Sequence, residues 1–405
     1  MNTSSISGIK RKDPEMERSL LDNDLYKFTM MMAIIDNFPW AIVRYTWILR
    51  DKVAFPEGFV KELKWVIENW CMQRLTDDEK KWGVEKLPFF TPPFWDLLGG
   101  FKPNPKEIKI KKLTDGDIMI TIEGPWYRTV LWEVPVLAAI SEIYFRQTAG
   151  LKGVVVDPME KRHEKNNLKI KLIKESGLAV ADFGTRRRYS AQNQDTMVND
   201  MSDVLVGTSN VWLAKKHGLT PIGTMAHEWA MFHAMKYGYK GANFNMLSNW
   251  VKTYKGNLGI ALTDTFTTPI FYEDYDTEFS KLFDGVRQDS GDPLLFLDQT
   301  VKHYKNHGID PGTKTIVFSD SLDIPKAVEI KKASDTAGIK CSFGIGTNLS
   351  NDVGVKPLNM VIKLTAVKGR NGNWWPTVKL SDSVGKHTGP ADEIKLCKQT
   401  LGLNE

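Results

Sequence analysis

Between Pro221 and Trp229 the chain reads PIGTMAHEW, which sets Thr224 and His227 just ahead of a helical pattern running from Ala230 to Tyr237. Gly223 lets the backbone turn sharply, so both side chains come to a helix N-terminus. Unpaired N–H groups and the positive end of the helix dipole attract anions there. A neutral imidazole, with an ordinary pKa of ~6.5, is nucleophilic near pH 7. The plain alternative is a histidine that only caps the helix.

Other loops carry residues of related chemistry. Arg186-Arg187-Arg188 follows a strand-like run directly, so at least one guanidinium should face the same end of the fold. Its planar fork suits a carboxylate or phosphate, although a solvated surface run is the alternative. In VRQDSGD, Arg287 lies beside Asp289 and Asp292, which would either pair with it or hold a metal next to it. Asp289, like Glu228, is a carboxylate that could orient one ring nitrogen of His227. VFSDSLD offers Ser319, with Asp320 and Asp323 suited to ribose hydroxyls or Mg2+ if they are not helix caps. FGIGTNL offers the backbone of Gly344 and Gly346 to phosphate, unless the glycines only make a tight turn.

Several mechanisms are excluded. The chain has no GxxxxGK[ST] phosphate loop and no Gly-x-Ser-x-Gly elbow, and GIGTNL lacks the third glycine of the dinucleotide fingerprint. Four residues after His227 stands Met231, so a two-histidine zinc helix cannot form. What remains is an anion site with arginines and carboxylates, as a substrate with phosphate groups and Mg2+ requires.

These loops need elements that aim them at one place. Seven apolar runs, in AVADFG, DVLVGT, TPIGT, GIALTDTF, LFDGVRQ, TIVFSDS and CSFGIGTN, each lead into a polar loop and then a helical pattern. Parallel strands joined by helices follow, and the order strand, functional loop, helix predicts an irregular α/β fold: a parallel barrel of about seven strands, active at the C-terminal strand ends. Phe183, Gly207, Gly223, Asp264, Arg287, Ser319 and Gly346 should then converge on one mouth.

Ahead of the barrel the pattern is α+β. Leu21, Leu25, Phe28 and Met32 mark a helical face with Tyr26 off it; Val43 to Leu49, Ile108 to Leu113 and Ile118 to Ile122 read as strands, the last two joined by a turn at Asp115-Gly116. Phe59 to Leu98 reads as helices, and Pro135 to Phe145 as a mostly buried one. After Asn351 two strand-like runs flank Arg370-Asn371-Gly372-Asn373, and a helix follows Pro390. The predicted division is residues 1–135 as an α+β sheet domain completed by 360–385, 136–359 as the catalytic barrel, and 386–405 as a C-terminal helix.

A composition of 42% hydrophobic and 25% charged residues is that of a globular chain and excludes a mostly disordered one. The net charge of +5 comes from dispersed cations, suits small anionic substrates as well as nucleic acid and decides nothing alone; no nucleic-acid partner is expected. Cys71, Cys341 and Cys397 lie too far apart for a Cys-x-x-Cys zinc site, which suits a reducing compartment. No apolar run of signal-peptide or membrane-span length occurs, so a cytoplasmic protein off the membrane is expected.

Taken together and in order, LLDNDLYKFTM, DFGTRRR, PIGTMAHEW, GVRQDSGD, VFSDSLD and FGIGTNL resemble the nicotinate phosphoribosyltransferase family of type II phosphoribosyltransferases along nearly the whole chain. The resemblance implies transfer of phosphoribose from phosphoribosyl pyrophosphate to nicotinate, in NAD biosynthesis, coupled to ATP hydrolysis through a phosphohistidine. It makes His227 the phosphorylated residue, Tyr26, Arg186, Thr224 and Arg287 the nicotinate contacts, and Thr347 part of the phosphoribosyl pyrophosphate site with Ser319, Asp320, Gly344 and Gly346. It also implies a homodimer with shared active sites, which would account for the distance of Tyr26 from the barrel in sequence. The nearest competitor is the nicotinamide enzyme. A sugar-phosphate lyase or aldolase would want a strand-end lysine, and a non-enzymatic nucleotide sensor would need no ATP turnover.

Overall fold

The computed structural model describes residues 19–113, 117–151, 154–383 and 385–403; the N-terminal tail and the Asp115-Gly116 turn lie outside them. Among the described residues the strands are, in chain order, β1 (Ile42–Leu49), β2 (Ile108–Lys112), β3 (Ile118–Pro125), β4 (Val180–Asp182), β5 (Leu205–Thr208), β6 (Ile260–Leu262), β7 (Gly285–Gln288), β8 (Thr315–Phe318), β9 (Lys340–Ile345), β10 (Met360–Lys368) and β11 (Trp374–Pro376). They form an antiparallel sheet in the order β11-β10-β1-β3-β2 and a parallel sheet in the order β5-β4-β9-β8-β7-β6.

The antiparallel sheet follows from alternation. Val43, Tyr45 and Trp47 of β1, Ile118, Ile120 and Ile122 of β3, and Met360, Ile362 and Leu364 of β10 are buried. Successive side chains of a strand point to opposite faces, so period-two patterns bury one face. The sheet draws its central pair from opposite ends of the chain, with Thr46 opposite Lys363. The parallel strands are instead buried throughout their middles, as at Val286, Ile316, Phe318, Phe343 and Ile345. Helices covering both faces of a parallel sheet demand such continuous apolar runs.

Of the roughly seven parallel strands expected from the sequence, six form one sheet among the described residues. The seventh run reaches it through an isolated bridge between Thr208 and Pro221. Ile222 N–H still donates to the Thr208 carbonyl, but Pro221 has no N–H to offer. Toward β6 the link is a side chain: the Thr224 hydroxyl donates to the Ile260 carbonyl at 2.9 Å.

The loops nonetheless leave the parallel sheet at one end. β4 and β9 are parallel neighbours with Asp182 opposite Ile345, so the turn bearing Arg186 and the turn bearing Gly346 emerge side by side. An aromatic cluster ties this region to the antiparallel sheet. Trp126, which follows β3, lies 4.3 Å from Phe232 between ring centroids, and Phe38 lies 4.7 Å from the same ring. Phe232 belongs to the helix His227–Tyr237. No helix among the described residues is long and apolar enough to cross a membrane.

Candidate active site

His227 is the first residue of its helix, whose N-cap, Ala226, supplies no side-chain hydrogen bond. The imidazole is fixed by partners on other loops. Nδ1 lies 3.0 Å from Thr265 Oγ1 and Nε2 lies 2.9 Å from Asp289 Oδ2. Lys379 Nζ stands 2.8 Å from the same Nε2. Only one of these two can engage Nε2 as a hydrogen-bond partner at a time. When Nε2 carries the proton it donates to Asp289, and Thr265 donates to Nδ1; when Nδ1 carries it, Nε2 presents its lone pair. The second tautomer is the nucleophilic one at Nε2. Burial and the Lys379 ammonium hold the imidazole below its usual pKa, against the pull of Asp264 and Asp289.

Around the histidine is a charged ring. Asp264 accepts from Ser290 Oγ at 2.6 Å and pairs with Lys379 at 3.2 Å, while its other oxygen, Oδ1, is buried with no hydrogen-bond partner among the described residues. Although burial pushes the other way, Arg287, His227 and Lys379 hold the Asp289 carboxyl well below its usual range. Arg287 donates to Asp289 Oδ1, Ser319 Oγ and the Met225 carbonyl, each at 3.3 Å. His227, Asp264 and Asp289 offer ligand atoms within 4.8 Å of one another, a spacing that suits a divalent cation.

The three consecutive arginines have separate fates. Arg188 is buried and pairs with both oxygens of Asp22, at 2.8 and 2.7 Å. Burial, then the nearby Arg186 and Arg50, push Arg187 down to about 10. Arg186 donates through Nη1 to Glu133 Oε1 at 3.1 Å and keeps 45% of its side chain exposed. The Tyr26 hydroxyl donates to the other oxygen of the same carboxylate at 3.3 Å. Asp289 lies close enough for its charge to act on Arg186.

Within the one chain Tyr26 reaches the carboxylate that pairs with Arg186. Its helix, Leu25–Asn37, packs directly on the histidine loop: Thr29 Oγ1 donates to the Thr224 carbonyl at 2.6 Å. A Cβ on Gly223 would lie 2.9 Å from the Tyr26 backbone nitrogen, so only glycine allows this approach. Thr224 is thus held to the Tyr26 helix by its carbonyl, while its hydroxyl is engaged with Ile260.

Ser319 and Asp320 follow β8 directly, and Gly346 and Thr347 follow the neighbouring β9. Ser319 Oγ lies 2.9 Å from Asp289, and Lys386 reaches Asp320 at 3.4 Å. Gly344 is placed differently from its loop neighbours. It lies inside β9, where a Cβ would sit 2.3 Å from the Phe183 ring, so packing accounts for this glycine. Asp292 and Asp323 are helix caps, accepting from Leu294 and Leu295 N–H and from Lys326 N–H. Glu228 does not turn to His227; it accepts from Lys27 Nζ at 2.7 Å and from the Tyr45 hydroxyl.

Lys379, Thr265, Asp264, Glu133 and Lys27 join the site without having been singled out for roles in the sequence. Asp264 had a signal, its place in a strand-end loop. Lys379 and Glu133 had none, because neither follows a parallel strand.

A parallel sheet whose C-terminal loops gather a histidine, carboxylates and an open arginine makes this an α/β protein with a site suited to anions. Comparison with known proteins narrows this. The nicotinate phosphoribosyltransferase (NAPRTase) family profile matches residues 178–405, and the profile of that family's N-terminal domain matches residues 21–141. The nicotinate phosphoribosyltransferase of Chromohalobacter salexigens is 47% identical over 392 residues, covering 95% of this chain and 98% of its own. The crystal structure of nicotinate phosphoribosyltransferase from Porphyromonas gingivalis superposes with a TM-score of 0.91 at 41% identity, over 95% of this chain and 100% of that one. A putative nicotinate phosphoribosyltransferase from Saccharomyces cerevisiae gives 0.88 at 34% identity, over 96% and 98%. The chain belongs to the nicotinate phosphoribosyltransferase family.

Proposed function

We propose that this enzyme transfers phosphoribose from phosphoribosyl pyrophosphate to nicotinate, and that ATP drives the transfer through phosphorylation of His227. The carrying observation is that Tyr26, Arg186, Thr224, His227 and Arg287 come from separated segments to one end of the parallel sheet in a chain of this family.

The pyridine nitrogen attacks C1 of the ribose, the C1–O bond to pyrophosphate breaks, and pyrophosphate leaves with the electron pair. Charge builds on the leaving phosphates, so cationic groups fixed beforehand lower the barrier. The open guanidinium of Arg186 binds the ring carboxylate beside Tyr26. Arg287 is committed to Asp289 and Ser319 and acts from behind, holding the carboxylate that orients His227. Ser319, Asp320, Gly346 and Thr347 line the neighbouring strand ends for the ribose and its phosphate.

In the ATP half-reaction the γ-phosphorus bonds to Nε2 of His227 and ADP departs. The proton then rests on Nδ1, donated to Thr265. Lys379, 2.8 Å from Nε2, neutralises the incoming phosphoryl group. Mg2+ fits Asp264 and Asp289, since Asp264 Oδ1 is a buried oxygen without a hydrogen-bond partner among the described residues, and when bound it would offset phosphate charge. A homodimer in the cytoplasm belongs to the same reading.

The test is the His227→Asn variant incubated with γ-labelled ATP. Wild type should take up acid-labile, base-stable label and form nicotinate mononucleotide faster with ATP. The variant should bind nicotinate, take up no label and retain slow ATP-independent product formation. Full ATP stimulation in the variant, or label on another residue, would make His227 a helix-start residue and nothing more.

A further inference from the structure

Lys27 lies two carboxylates deep in the protein and is fully buried. Its ammonium bonds Glu133 Oε2 at 2.6 Å and Glu228 Oε1 at 2.7 Å. Glu133 is also the partner of Arg186, through the opposite oxygen. Charges therefore alternate along one line: Arg186, Glu133, Lys27, Glu228. Only the first of the four opens substantially to solvent.

An isolated Arg186–Glu133 pair would be a poor anion receptor. Its net charge is zero, and a carboxylate approaching the guanidinium would feel the Glu133 charge directly behind it. Lys27 alters this from the far side, closer to Glu133 than Arg186 is and without solvent to screen it. Glu228 limits that effect because it shares Lys27. Yet Glu228 has a donor of its own, the Tyr45 hydroxyl, which in turn accepts from Trp126 Nε1 at 2.8 Å.

We propose that Lys27 is a positioning residue that sets the preference for an acidic over a neutral ring substituent, by neutralising Glu133 from behind and leaving Arg186 free to bind the substrate carboxylate. This rests on the nicotinate reading above. It follows that Lys27 and Glu228 differ in their effect. Loss of the Lys27 charge gives Glu133 wholly to Arg186, whereas loss of the Glu228 charge gives Lys27 wholly to Glu133.

The experiment is the ratio of kcat/KM for nicotinate to that for nicotinamide, or of the two Kd values where nicotinamide turnover is too slow. Both rings are measured on the same preparation, so the folded fraction cancels. Lys27→Met should lower the ratio about tenfold or more, mainly through KM for nicotinate. Glu228→Gln should hold or raise it. Lys27→Met/Glu228→Gln removes one charge of each sign, serves if the single lysine variant does not fold, and should also lower the ratio. An unchanged ratio in both lysine variants, or a fall in Glu228→Gln equal to that in Lys27→Met, overturns the inference alone. A wild type without preference for nicotinate overturns it together with the functional reading beneath it.

Discussion

Lys379 and His227 are 152 residues apart in the chain, and 2.8 Å separates Nζ of one from Nε2 of the other. The ammonium is the second cause, after burial, of the lowered imidazole pKa. Lys379→Met should therefore raise it, because Asp264 and Asp289 remain and both favour the imidazolium. NMR titration of selectively labelled histidine reads this directly: His227 should titrate below the ordinary value in wild type and higher in the variant. No upward movement would mean that Lys379 does not face the ring in solution.

Arg186 and Arg287 should separate as substrate contacts. Arg186→Ala should cost ~2 to 5 kcal/mol in kcat/KM for nicotinate, much of it the penalty of an unpaired carboxylate, and less for nicotinamide. Arg287→Ala should affect both rings alike, since it acts through Asp289 and His227. Steady-state kinetics with each ring decides, and equal losses for the two substrates in Arg186→Ala would assign that residue to phosphate.

Acid should destabilise the fold partly through His233. This residue is fully buried; Nδ1–H donates to the Trp229 carbonyl at 2.7 Å and Nε2 accepts from Asn249 Nδ2 at 2.9 Å. Burial pushes its pKa down to about 4. Below ~6.5 the unfolded chain takes up a proton that the folded protein refuses, so stability present at neutral pH is lost as pH falls from 6.5 toward 4. One such group accounts for ~2 kcal/mol between pH 7 and pH 5. Denaturant unfolding of wild type and His233→Gln at both pH values should show the smaller loss in the variant.

Gly223→Ala should harm both stability and substrate binding. The added methyl would meet the Tyr26 backbone nitrogen at 2.9 Å and the Leu25 Cβ at 3.3 Å, at the first turn of a buried helix. Overpacking of this kind costs ~1 to 3 kcal/mol. Displacement of Tyr26 and Thr224 should also raise KM for nicotinate. An unchanged KM would show that the helix and the loop can separate without disturbing the ring site.

The sequence made legible those parts whose signals are local. Asp289, Arg287 and Ser319 follow or sit in short apolar runs that do become parallel strands, so their clustering was readable from order alone. The seam at Pro221 was not. Its neighbours look like a strand, but one missing N–H and one side-chain link decide that it pairs through a single bridge. Gly344 and Gly346 look alike in the sequence, and only the Phe183 ring tells them apart. Glu133 and Lys27 were hidden for another reason: both lie in helices, where a buried charge carries no pattern until its partner is known.

The central pair of the antiparallel sheet has a consequence in time. Thr46 and Thr365, hydrogen-bonded at 3.0 Å, are 319 residues apart, so a ribosome adding ~5 to 20 residues per second makes the first tens of seconds before the second. Throughout that interval one edge of β1 has no partner strand from β10 and is open to pairing with other nascent chains. His227 emerges well before Lys379, so the histidine loop exists before its ammonium does. The ring around His227 is completed only once Lys379 has emerged, and a chain released before then would display an unshielded strand beside a histidine without its ammonium neighbour.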